Sequence, residues 1–168
     1  MHPAAAGFYN AGVADALWQS DFVVAHSVVL ARSFRHFTGR ELLPGLAAEG
    51  WLARELFHAP FVVVSHGTEA DPILNYGNAA ALALWEMAWS ELTRTASRLT
   101  AETPLRAERA GLLAAVAARG FIDDYSGVRV ARSGRRFRIA QATVWNLLDG
   151  AGQPCGQAAR FAAWEFLP

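Results

Sequence analysis

The stretch Pro60–Met87, PFVVVSHGTEADPILNYGNAAALALWEM, constrains the fold more than any other part of the chain. It sets strand, polar turn, strand and helix directly after one another. Phe61, Val62, Val63 and Val64 form a short aromatic and β-branched run, bounded by Pro60 before it and His66-Gly67 after it. The turn SHGTEADP carries Gly67 and Asp71-Pro72, residues that set turn dihedrals or bond side chain to backbone. Ile73–Asn78 reads as the second strand, and Asn78 is placed to cap a helix beginning at Ala79. Leu82 and Trp85 lie three apart on that helix and face one core, with Leu84 beside them.

The flanking segments complete an α+β pattern. Residues 1–19, rich in Ala and Gly, are expected to form a loose arm. Ser20 caps a helix over Asp21–Phe37, with Gly39 just past its end. Pro44-Gly45 then breaks the chain, and a shorter helix is expected over Leu46–Phe57 with Trp51, Leu52 and Leu56 on its buried side. After the central stretch, Trp89–Arg94 makes a helical turn or two and SRLTAET a loop. Thr103 caps a strong helix that starts at Pro104 and stops before Gly120, with Leu105, Leu112, Leu113 and Val116 as its apolar stripe.

The last third alternates as strands. FIDDYSGVRVARSGRRFRIAQATVWNLLD forms two strands around Arg132-Ser133-Gly134, Asp149–Pro154 is the next turn, and Cys155–Phe166 is a final strand. This order fits one antiparallel five-stranded sheet with helices packed on one face, preceded by N-terminal helices. The division is an arm at 1–19, a helical segment at 20–58 and the sheet domain at 59–168. The N-terminal helices either cover an open sheet or join two subunits. The aromatic and β-branched excess of the helix from Asp21 to Phe37 predicts a homodimer through it.

Composition narrows the function classes. At 168 residues and 53% hydrophobic content the chain can bury the core of one domain. Fifteen basic residues, all Arg, balance fifteen acidic ones, so no net field favours nucleic acid or an acidic membrane as partner. Cys155 is the one cysteine, which leaves no intrachain disulfide and no CxxC metal pair. MHPAAAGFYNAG lacks the basic and apolar regions of a secretory signal, and a cytoplasmic location is the default expectation.

The strand–helix–meander order resembles a PAS domain, and ILNYGNAAALALW is similar to the PAS pattern in which a strand ends in Asn and a helix follows at once. More closely, the chain resembles the MEKHLA family, a PAS-related group of free-standing bacterial proteins and C-terminal domains of plant homeodomain–leucine zipper factors. The matching stretches are SHGTEADPILNYGN, SRLTAE, GFIDDYSGVR, GRRFRI, VWNLLD and GQAA, spread from about Ala25 to Trp164. The homeodomain and zipper are absent, so transcription-factor activity does not carry over. The resemblance implies sensing or regulated association and supplies no catalytic residue. Haem-binding PAS relatives use a His on the long helix, and Pro104–Arg119 has none; photoactive flavin relatives use a Cys in the helical middle, whereas Cys155 lies late. No cofactor is therefore expected, and no metal.

A PAS-like sheet and its helices enclose a small pocket, which gives the candidate residues their meaning. Tyr125 and Arg129 share one strand face, with Gly127 between them leaving room; Asp124 and Ser126 share the other. Arg129 offers a fork for a carboxylate or phosphate, or else pairs with Asp123, Asp124 or Glu86. Tyr76, Asn78, Trp85 and Trp145 are expected to complete the wall of a ligand cavity, though Asn78 also serves as a cap. Gln157 and Asn146 are further hydrogen-bonding candidates. His66, Glu69 and Asp71 have the residue types of a metal or acid–base site but crowd one turn, where such residues serve the backbone. The reading is a PAS-like sensor or interaction domain for a polar or anionic organic ligand. The alternative is a small enzyme using His66, Asp124, Tyr125 and Arg129.

Overall fold

The computed structural model describes residues 16–45, 49–102 and 106–168. Helix α1 spans Asp21–Thr38: the Ser20 hydroxyl accepts from the Val23 N–H at 3.3 Å, and Gly39 closes the helix in the left-handed region at φ 70°. Helix α2 spans Glu49–Phe57; the Leu46–Ala48 portion of the expected helix lies outside the described residues. Strand β1 (Val62–His66) and strand β2 (Leu74–Gly77) follow, then helix α3 (Ala79–Trp85) and the single turn α4 (Trp89–Leu92). A 3-10 turn at Ser97–Thr100 leads toward helix α5 (Arg106–Arg119). The expected Thr103 cap, Pro104 start and Leu105 of its stripe lie outside the described residues. Strands β3 (Phe121–Val130), β4 (Arg136–Leu148), β5 (Pro154–Phe161) and β6 (Ala163–Phe166) complete the chain.

All these strands join one antiparallel sheet in the order β2-β1-β5-β4-β3, with β6 also on β4. The expected final strand Cys155–Phe166 is thus broken in two, yet β5 and β6 run along β4 in one register: Thr143 pairs Arg160 and Ala140 pairs Ala163. The break falls opposite Gln141, whose φ of 54° bulges β4. The second strand is shorter than Ile73–Asn78: Ile73 forms an isolated bridge to Ala96, and Asn78, whose N–H still donates to the Val63 carbonyl, caps α3 with its side chain.

Helices cover both faces. On one, which we call the outer face, α1 and α2 bury Val23, Leu30, Phe34 and Leu56 against Phe61, Val63, Tyr76 and Trp145. The Phe34 ring meets Trp145 edge-on, with centroids 4.9 Å apart. On the opposite face α3 packs Ala81, Leu84 and Trp85 against Val62, Phe137, Ile139 and Phe161. The N-terminal helix therefore covers the open sheet, while Phe22, whose ring stacks on His26, and Val24 remain exposed. Two expectations are corrected here. Trp51 is 58% exposed rather than buried, its ring lying under Arg54. Leu17 and Trp18, assigned to a loose arm, pack partly buried on the core. No helix among the described residues is long and apolar enough to cross a membrane.

Candidate functional site

Strand pleating assigns side chains to faces, and two bulges modify the assignment. Phe121 pairs Trp145 and packs toward α1, so ordinary alternation would send Asp123 and Tyr125 the same way. Asp124 adopts φ 58° and adds a residue to β3, which moves Tyr125 to the opposite face, opposite Ala142. Gln141 adds a compensating residue to β4, and the register resumes with Gly127 opposite Ile139 and Arg129 opposite Phe137. Tyr125 and Arg129 therefore share the inner face, as the two-residue period requires.

There they border a cavity of about 50 Å³ between the sheet, the end of α3, the 3-10 turn and α5. Arg129 is 7% exposed. Its Nη1 donates to the Val128 carbonyl at 2.9 Å, and its Nη2 donates to the Tyr125 hydroxyl at 3.0 Å. Its guanidinium carbon lies 5.4 Å from the Tyr125 ring centroid. Among the described residues no carboxylate forms an ion pair with it. Asp123 is on the outer face, accepting from Arg40 at 2.8 Å and Thr143 at 2.7 Å. Burial pushes the Asp123 carboxyl up, but those two hydrogen bonds and the Arg40 charge outweigh it and leave it below its ordinary value. Asp124 is exposed at its bulge, and Glu86 accepts from the Ser133 N–H instead.

Gly127 does not leave room for a ligand, as its position had suggested. A Cβ there would overlap the Tyr125 hydroxyl and lie 3.1 Å from Arg129 Nη1. The space is filled by Tyr125 and Arg129 converging over the bare backbone.

Two further residues of the cavity walls each carry a buried polar atom without a hydrogen-bond partner among the described residues. Trp85 is 3% exposed, and its indole N–H has no acceptor among the described residues. Gln157 is 8% exposed; its Nε2 donates to the Leu113 carbonyl at 2.9 Å and to Asn146 Oδ1 at 3.1 Å, while its Oε1 has no donor among the described residues. His66 also lines the cavity, its Nδ1 2.8 Å from the Gly67 carbonyl.

Three expected wall residues do not line this cavity. Tyr76 pairs Ser65 across β1–β2 and so points outward, against His26 and Trp89. Trp145 points outward against Phe34. Asn78 spends its side chain on structure: Oδ1 accepts from the Val63 and Ala81 N–H groups, and Nδ2 donates to the Leu56 and Phe61 carbonyls. Of the residues weighed for catalysis, His66, Tyr125 and Arg129 meet on the cavity and Asp124 does not. Glu69 closes its turn by accepting from the Ile73 N–H, and Asp71 pairs with Arg98. Ser97, Thr100 and Leu113 join the wall without any signal in the sequence, because loop and helix docking puts them there.

The profile of the MEKHLA domain family matches residues 24–166. The chain belongs to the MEKHLA domain family. None of the curated proteins compared with it matches. Among solved structures, this MEKHLA chain is similar to a PAS domain from Colwellia psychrerythraea, at 10% identity and TM-score 0.57, covering 68% of this chain and 92% of that one. It is similar to an RNA-binding light-oxygen-voltage receptor at 19% identity and TM-score 0.58, covering 74% of this chain but 36% of the receptor. A third likeness is the PAS domain of a LuxR-family transcriptional regulator from Burkholderia thailandensis, in complex with ethanol, at 19% identity and TM-score 0.50, covering 68% and 95%. These likenesses establish the PAS fold for the MEKHLA domain.

Proposed function

We propose that this MEKHLA domain is a PAS-like sensor whose ligand is a small organic anion, a carboxylate above all, seated on Arg129. The observation that carries the reading is the burial of Arg129 with no carboxylate partner among the described residues. An uncompensated buried charge costs several kcal/mol, so such a group is retained where an anion completes it. A guanidinium matches a carboxylate in a two-bonded fork, and the Trp85 N–H offers a further donor on the same walls. The cavity of about 50 Å³ holds a few atoms, since one water needs roughly 10–15 Å³ on this measure. The ethanol bound by the Burkholderia PAS domain is a ligand of that order. Pockets for drug-sized ligands run to roughly 300 Å³ or more, so this cavity by itself suits a molecule much smaller than a tricyclic flavin.

Binding alters association with a partner or with a second copy of the chain. The homodimer reading rests on the exposed Phe22 and Val24 of α1. Calorimetric titration of the full chain with acetate, propionate and pyruvate tests the site: at least one binds, and Arg129→Gln removes the binding. Equal binding by Arg129→Gln, or none by the wild type, overturns it. Light scattering of the full chain and of its Phe22→Ser, Val24→Ser variant tests the dimer. A monomer in both cases ends that part of the proposal.

A further inference from the structure

The geometry points to a ligand longer than the cavity: a carboxylic acid with a hydrogen-bond donor part-way along it and an apolar tail that leaves through a groove beside α5. This rests on the reading of Arg129 as the anion site. The groove, of about 360 Å³, lies outside the cavity and is walled by α5, the β1–β2 turn and the start of β5. Thr68, Pro72, Ala117 and Pro154 are among its walls, and among the described residues no carboxylate, Lys or Arg lines it. His66, Leu113 and Gln157 line both spaces, so the two adjoin at these residues.

The chemistry where the two spaces meet is set by Gln157. The Leu113 carbonyl can only accept, so the Gln157 NH₂ must face it. Asn146 reinforces this orientation: its Nδ2 donates to the Val116 carbonyl at 3.0 Å, which turns its Oδ1 to accept from Gln157 Nε2. Both anchors are carbonyls of α5 or are held by them, and they leave Gln157 Oε1 as a fixed acceptor without a donor among the described residues. A buried acceptor left unmade is costly, and a plain alkyl chain passing it would not repair that. A hydroxyl or amide N–H on the ligand would. From inside to outside the site thus reads as donors at Arg129 and Trp85, an acceptor at Gln157, then an uncharged groove.

Calorimetry on the full chain with acetate, octanoate, 2-hydroxyoctanoate, 3-hydroxyoctanoate and N-hexanoylglycine tests this. Octanoate is expected to bind at least tenfold more tightly than acetate, and the best donor-bearing compound about fivefold more tightly than octanoate (a factor typical of one net hydrogen bond). Ala117→Trp, at an exposed helix position on the groove wall, should erase the gain from chain length and keep acetate binding. Gln157→Met should erase the donor's gain and keep the chain-length gain. Acetate and octanoate binding equally would overturn the groove while leaving the Arg129 site intact. Donor-bearing acids binding no better than octanoate would overturn the role of Gln157 even if Gln157→Met fails to fold. No binding by any of the acids, acetate included, would instead remove the Arg129 reading on which the inference stands.

Discussion

The two faces of the sheet are built from similar residues and treat buried polar groups differently. On the outer face Asn78 makes four hydrogen bonds, Ser27 donates to the Val23 carbonyl, and Ser33 accepts from the Leu148 N–H. Ser65 donates to Asn75 Oδ1 at 2.6 Å, so the His26 Nε2–H donates to Ser65 at 2.8 Å. Among the described residues the exceptions are Trp145 Nε1 and Arg160 Nε, and neither residue borders the cavity. On the inner face a guanidinium, an indole N–H and an amide oxygen surround a space. A face whose polar groups complete one another is structural, whereas one that leaves them incomplete around a cavity is suited to a ligand.

The largest effect that would sharpen this contrast comes from Asn78→Ala. It strands two N–H groups and two carbonyls in the core, and should cost at least about 3 kcal/mol in urea unfolding. Carboxylate binding by the folded fraction should be unchanged. Lost binding at preserved stability would return Asn78 to the ligand site.

His26 gives an effect of similar size through pH. Burial holds it at about 4 against an ordinary 6.5, so the folded chain keeps it neutral while the unfolded chain takes up a proton first as pH falls. Its contribution is complete above pH 6.5 and lost progressively down to about pH 4, by about 3 kcal/mol in all. His26→Gln should flatten the urea midpoint between those limits. An unaltered pH profile would show that the outer face does not hold His26 neutral.

Arg129→Met tests the inner face in the opposite sense. Removing an unpaired buried charge for a side chain of similar reach should leave the ligand-free chain unchanged or more stable by about 1–2 kcal/mol, and abolish carboxylate binding. Destabilisation beyond about 2 kcal/mol would mean that Arg129 is structural and that the two faces do not differ as described.

The smallest effect belongs to Gly127→Ala. The added methyl separates Tyr125 from Arg129 and should weaken carboxylate binding several-fold at a stability cost of about 1 kcal/mol. An unchanged affinity would show that the Tyr125–Arg129 hydrogen bond does not orient the guanidinium.

Most of the fold was legible in the chain. The Ser20 and Asn78 caps, the Gly39 stop and the order of strands depend on local dihedrals and hydrogen bonds, and each is where the residues imply. The site was legible in part: Trp85, Tyr125 and Arg129 border the cavity, and Tyr76, Asn78 and Trp145 do not. Tyr76 and Trp145 look the same in sequence as the aromatics of a pocket, for both faces of this sheet are buried. An aromatic at a core position carries no mark of which core it joins.

The sequence by itself determined that Tyr125 and Arg129 point the same way, because a strand's period is two whatever surrounds it. Only the tertiary structure decided which way. The left-handed turn at Asp124 resets the pleat just before Tyr125, and Gln141 resets β4 to match. It also decided that Gln157 shows an acceptor rather than a donor, through two bonds that converge on its amide from α5 and β4. Face and amide orientation are relations between distant segments. They exist only once those segments are packed, and no local preference encodes them.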